Sequence, residues 1–539
     1  MSETQTVDTS APQSGGTPSF RSMPRRQLVG TIIGLQLTML LAALDQTIVA
    51  TAMPQIIARL NGFDRFAWVT SAYLLTSTAA VPIFGKLSDM YGRKLMLVYG
   101  AFFFVVTSAL CGAAGQVPIP LDGMNQLIVG RALQGIAGGA VTACVFASIG
   151  DLFPPRERGK YMGLFAGVWG ISSMIGPALG GWLSDTFSWR SIFYVNLPVG
   201  FLAVSALQMF YPKVNQGQVE RKIDYFGSLL LIAFLVPLLI GLTATASVGW
   251  LAPPVLAAFA FSLVMFIMFV RTELRVPEPI ISPMLLQLPE IRIGLLNLAL
   301  VSIAMFDVVI FAPLYLQAVM GISATKAGSM FTPLMLTMSI GSTMSGQLVS
   351  RLGRYKYLAL VGLSSAAVGL FLLSQVHGSA SDTTMFVVLL TIIGGGMGVT
   401  MPIFTLSIQN AAPQGMIGSA TALGHFCRSI GATLGSAILG SILQSRYTQG
   451  LQSEAQLIAA LPPNVAGVVN NPARFVQMKS QLIAESAARG DMPVLNKVFA
   501  TVASSLGSAI NLNIFLGCIV VVVALLATAL IKEKELKSE

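Results

Sequence analysis

Four side chains set in otherwise oily stretches carry the chemistry this sequence can do: Asp45, Arg131, Asp307 and Arg428. An ionised group at the centre of a bilayer costs about 2.5–3.5 kcal/mol on insertion scales, so such residues mark ion or substrate pathways. Burial and a neighbouring guanidinium act on a carboxylate's proton affinity in opposite senses. Asp45 lies past the midpoint of its apolar segment and Arg131 early in one that runs the other way, which places both in the outer half of a membrane. A change in their separation could trade protons for substrate. The alternative is a static ion pair that fixes helix packing. Asp307, in the apolar run Leu295 to Leu316, is expected to face a cavity, where it offers charge to a cationic amphiphile or binds a second proton; its structural alternative is a pair with Arg428. His425 lies one turn from Arg428, but a lone helical histidine is more often packed than working.

The elements that must position these groups are membrane helices. Of 539 residues, 54% are hydrophobic and 10% charged, and the mean hydropathy is +0.75, which no ordinary soluble domain can bury. The net charge of +10 is dispersed in small groups between apolar segments, a sign of topology and not of nucleic-acid binding. Cys111, Cys144, Cys427 and Cys518 show no metal or redox spacing and read as buried thiols. Nucleophile, base and metal-ligand clusters are missing from the sequence, as is a phosphate-binding Gly-x-x-x-x-Gly-Lys-Ser/Thr loop, so no enzyme is implied.

Apolar runs of bilayer length begin near Leu28, Trp68, Leu95, Gln126, Tyr161 and Ile192, then near Tyr225 and Pro254, then near Ile293, Ala327, Tyr357, Met385, Ile417 and Ser508. The prediction is an all-α membrane protein of fourteen transmembrane helices. Its parts are a disordered tail (1–26), a six-helix bundle (27–212), an inserted pair (213–275), a second six-helix bundle (276–531) and a short tail (532–539). Lys and Arg concentrate in alternate loops, for example Lys86, Arg93 and Lys94, then Arg156, Arg158 and Lys160, which puts both termini in the cytoplasm. The long external segment 446–505 is either a solvated hairpin or a lid.

An internal repeat supports two bundles. Gly85-Lys86-Leu87-Ser88-Asp89-Met90-Tyr91-Gly92-Arg93-Lys94 and Gly346-Gln347-Leu348-Val349-Ser350-Arg351-Leu352-Gly353-Arg354-Tyr355 share Gly, Leu, Gly and Arg at matching offsets, each leaving the second helix of its half. The first copy resembles the signature loop of the major facilitator superfamily. Leu44-Asp45-Gln46-Thr47-Ile48-Val49, Arg131-Ala132-Leu133-Gln134-Gly135, Gly176-Pro177-Ala178-Leu179-Gly180-Gly181, and Trp189-Arg190 with Asn196-Leu197-Pro198 are similar to motifs of its fourteen-helix drug:proton antiporter branch.

The resemblance implies the major facilitator fold in a bacterial cytoplasmic membrane, exporting amphipathic, often cationic compounds against protons, as a monomer among lipids and without a cofactor. Asp45 and Arg131 fall within these motifs and, with Asp307 and Arg428 singled out by their charge, are the expected coupling and cavity residues. Gly85, Asp89, Gly92, Arg93 and Lys94 become a cytoplasmic latch for the outward-open state, with Asp89 meeting Arg93 or the amides of a helix N-terminus. Gly167, Gly176, Pro177, Gly180 and Gly181 become the antiporter motif that seals against leak. Ser350 in place of Asp89 weakens any second latch. Two rivals are a lipid or glycolipid exporter, if the long external segment and the inserted helices form a side opening to the bilayer, and a receptor or scaffold without turnover.

Overall fold

The computed structural model describes residues 23–60, 66–212, 224–277, 279–322, 324–376, 383–413, 416–452, 469 and 492–530. Most of the two tails and of segment 446–505 lie outside these. The first half holds α1 (Arg25–Leu60), α2 (Phe66–Tyr91), α3 (Arg93–Gly112), α4 (Gly123–Leu152), α5 (Pro155–Thr186), α6 (Ser191–Tyr194) and α7 (Asn196–Phe210). An inserted pair follows, α8 (Tyr225–Val248) and α9 (Pro253–Glu273). The second half holds α10 (Pro283–Gln287), α11 (Pro289–Leu314), α12 (Ala324–Leu352), α13 (Lys356–Leu373), α14 (Thr383–Ala411), α15 (Ile417–Gln452) and α16 (Met492–Ala529). Helix starts follow local chemistry. Asp122 accepts from the Asn125 amide at 2.9 Å, Asp224 from the Gly227 amide at 2.7 Å, and Pro253, Pro283 and Pro289 occupy first turns where no backbone donor is needed.

Among the described residues, 11 helices are long and apolar enough to cross a membrane, where fourteen spans were expected. The three that fall short are α2, α5 and α12. All three carry Gly, Ser and Thr and pack against other helices, α2 on α4, α5 on α1 and α12, and α12 on α14, where small residues permit close approach. The lipid-facing rows run along the peripheral helices: Phe102, Val106 and Leu110 on α3, Phe201 and Met209 on α7, Val361 and Val368 on α13. So much exposed apolar surface has one compatible solvent.

The two halves repeat each other in detail. Gly92 and Gly353 both adopt left-handed backbone, φ 94° and 66°, to turn the second helix into the third. Lys94 then donates to the Gln208 and Tyr211 carbonyls at the end of α7, both at 2.7 Å, while Lys356 donates to the Ala529 carbonyl ending α16 at 2.8 Å. Thr76 of α2 donates to the Ala132 carbonyl of α4 at 2.7 Å, and Thr337 of α12 to the Thr391 carbonyl of α14 at 2.9 Å. Members of each pair are separated by about 260 residues.

The halves meet where α2 and α4 touch α15 and where α5 touches α12 and α14. The inserted pair lies outside both halves, with α8 against α2 and α15 together: Leu239 and Leu242 pack with Leu75 and Ala437, and the Trp250 indole donates to the Ser441 hydroxyl at 2.6 Å. It covers the α2/α15 crevice. Among the described residues these helices form no side opening there, and most of the external segment invoked with them lies outside those residues.

Candidate functional site

Asp45 is fully buried in α1 and satisfied on both oxygens. Oδ2 accepts from Arg131 Nη1 at 2.5 Å, and Oδ1 accepts from Gln134 Nε2 and Asn196 Nδ2 at 2.9 Å each. Arg131, 1% exposed, also donates to the Gln134 side chain at 2.7 Å and to the Val69 carbonyl at 3.2 Å, and its guanidinium lies 4.4 Å from the Tyr73 ring centroid. The cluster therefore ties α1, α2, α4 and α7 into one bundle. Complete pairing is what lets two charges lie in a dry interior; loss of either would strand the other.

The last turns of α2 and the start of α3 close the two halves at the end that carries the basic loops. Asp89 pairs with Arg93 and also crosses to the other half, accepting from the backbone amide of Ser419 at 2.7 Å and its hydroxyl at 2.5 Å. These are first-turn groups of α15, where a carboxylate meets free amides and the positive end of the helix dipole. Arg93 is held in turn by Ser88 and by Asp151 at 2.7 Å. Small residues make the approach possible: a Cβ at Gly85 would strike Ala422, and one at Gly418 would strike Arg93 and Asp89.

Helix α5 connects the ion pair to this interface. Thr47, two residues past Asp45, donates to the Ser172 carbonyl at 3.1 Å, and a Cβ at Gly176 would lie 2.7 Å from Thr47 Cβ. Towards the other half, a Cβ at Gly163 would lie 2.5 Å from Thr343 Cα, and Gly170 abuts Ser339. The other residues expected in this motif are placed differently. Gly167 and Gly181 face open space, Gly180 accepts from the Ser184 hydroxyl at 2.6 Å, and the side chain of Pro177 lies outside those described.

Two expectations for the second half need correction. Asp307 does not face a cavity: it is fully buried, with Gly517 of α16 so close that a Cβ there would lie 3.0 Å from Oδ2. Nor does it pair with Arg428, for neither of its oxygens has a hydrogen-bond partner among the described residues. α11 turns this carboxyl towards α16, as α1 turns Asp45 towards α7. Arg428 instead borders a small cavity with His425, Gly424, Leu298, Met401 and Thr405. The His425 ring lies 4.3 Å from that of Phe146, which belongs to the first half.

Similarity to known proteins settles the family. The profile of the Major Facilitator Superfamily matches residues 35–436. The chain belongs to the major facilitator superfamily. Among curated proteins it is 36% identical over 466 residues to the multidrug transporter protein MdtP of Bacillus subtilis (strain 168), covering 83% of this chain and 82% of that one. It is 34% identical over 479 residues to multidrug resistance protein 3 of the same organism, covering 88% and 90%. Its fold is shared with a solved proton:xylose symporter, XylE, at a TM-score of 0.59 and 12% identity, over 94% of this chain and 97% of that one. Like its superfamily, the chain is a multi-pass membrane transporter and not an enzyme.

Several working residues escaped the sequence. Gln134 and Asn196 stood inside motifs quoted for the superfamily branch, but nothing in their spacing said that both would bond Asp45. Asp151, Gly418 and Ser419 complete the latch from elsewhere in the chain, and no local signal marks them.

Proposed function

We propose that the protein exports amphipathic drugs across the bacterial cytoplasmic membrane in exchange for protons, by rocking of its two halves. The observation that carries this is the sealed Asp45–Arg131 pair, an acid able to take a proton at the point where α1, α4 and α7 are tied together. Protonation of Asp45 would release Arg131 and loosen α1. Helix α5, locked to α1 through Thr47 and Gly176, would pass the change to α12 in the other half. The latch at the basic end closes this conformation to the cytoplasm, so the proton and substrate routes are those of an outward-facing state. Energy comes from the proton gradient without a resident cofactor, and the single chain, holding both halves, is the working unit. Multidrug relatives support a drug as cargo.

Asp307 stands in the second half where Asp45 stands in the first, on the opening long helix and about 260 residues on. Its neighbours differ: the positions corresponding to Arg131 and Gln134 hold Leu390 and Ile393, both buried. Among the described residues neither oxygen of Asp307 has a hydrogen-bond partner, and this acid serves as a second proton site.

The test is uphill transport by reconstituted protein under an imposed pH gradient. Wild type accumulates substrate, whereas Asp45→Asn binds it but does not accumulate it. Undiminished accumulation by that variant would remove Asp45 from coupling. Drive by a sodium gradient alone would remove the proton.

A further inference from the structure

Arginines that hold this fold together are fully occupied. Arg131 and Arg93 each engage a carboxylate and further acceptors inside the protein. Arg428 differs. It is only partly buried on α15, and no ion pair or hydrogen bond engages it among the described residues, Asp307 and Asp45 included. One turn earlier His425 is 6% exposed, with neither ring nitrogen bonded. His425, deeply buried, and Arg428, partly buried, border the same cavity, and among the described residues neither has a hydrogen-bond or ion-pair partner.

The cavity's place in the fold fits cargo. Successive turns of α15 rise from the latch at Ser419, through Ala422 against Gly85, to His425 against Phe146 of the other half, and then to Arg428. Arg428 is 11 residues past Ile417, roughly 17 Å along the helix and near the middle of a bilayer. Leu298 and Met401 supply apolar wall, and the Thr405 hydroxyl donates to its own helix at 3.0 Å, leaving its oxygen to accept. In this conformation the cavity is small, about 20 Å³, room for about one water, so a charged end group would take that water's place only as the two halves move apart.

We propose that Arg428, with His425, binds an anionic group of the substrate, so that the transported amphiphiles are organic anions carrying a carboxylate or similar group. This rests on the reading of the chain as an exporter and gives its cargo a charge opposite to the cationic one expected from the resemblance. No acidic side chain is among those bordering the cavity; the two intramembrane acids are enclosed within their own halves. A guanidinium pairs with a carboxylate in a forked geometry, and dry surroundings strengthen the bond.

The test uses three fluorescent probes with one body: 1-pyrenebutyrate, its amide, and the matching pyrenebutyl-trimethylammonium. Equilibrium binding to full-length protein in nanodiscs is read after subtraction of protein-free discs. Wild type should favour the carboxylate, and Arg428→Gln should weaken that probe by about tenfold, the order of one lost charge-assisted bond, while leaving the amide unchanged. Arg428→Lys should restore part of the preference, and Arg428→Glu should shift it towards the ammonium probe. Equal binding of all three probes by wild type overturns the inference, as does a uniform loss across probes in Arg428→Gln. Because binding needs no gradient, a failure of proton-driven accumulation with the charge preference intact would count against the coupling reading and not against this one.

Discussion

Gln134 and Asn196 add two neutral donors to the Asp45–Arg131 bridge, and this satisfaction decides what each substitution does. Arg131→Gln leaves a buried carboxylate without its cation and should lower stability by about 3–5 kcal/mol, read as a fall in thermal unfolding temperature. Asp45→Asn with Arg131→Gln removes both charges and should recover much of that loss. A double variant as unstable as the single would mean that packing, not charge, holds the site. Asp307→Asn should behave differently because the side chain has no hydrogen-bond partner to lose among the described residues. Folding and substrate range should stay close to wild type, while the number of protons moved per substrate falls, measured from reversal potentials in liposomes. A changed substrate range with the same proton count would return Asp307 to the cavity.

Between elements, contact depends on missing side chains. At Gly418 an added methyl would fall on the Asp89–Arg93 pair, and at Gly163 on the backbone of α12. Gly418→Ala and Gly163→Ala should each weaken closure at the basic end, seen as a longer, broader spin-label distance between the inner ends of α2 and α15. Asp89→Asn should act in the same direction by about 1 kcal/mol, since it withdraws a negative charge from the first turn of α15. Unchanged distances in all three variants would show that other contacts keep this end shut. Farther out, Trp250→Phe removes the indole donor that fixes the inserted pair to α15 and should cost about 1 kcal/mol of stability without stopping transport.

Across the whole molecule, the two bundles must turn about each other. A Cβ at Gly170 would lie 3.4 Å from that of Ser339, near the span of a disulfide. Oxidation of Gly170→Cys with Ser339→Cys should therefore join α5 to α12 and slow turnover at least about tenfold, with recovery on reduction. Normal transport by the oxidised, cross-linked protein would rule out relative movement at this contact.

The sequence by itself determined the membrane, the succession of helices and the repeat, because hydropathy is a local property and the loop copies carry the same turn-making glycines, Gly92 and Gly353. It also singled out Asp45 and Arg131, since a charge in an oily run is conspicuous wherever the run folds. Only the tertiary structure decided which face each group presents. The rotation of α11 sends Asp307 towards Gly517 and away from Arg428, and the docking of α15 brings Ser419 to Asp89 across 330 residues. Such facts depend on how helices lie against one another, which spacing along a single helix cannot encode.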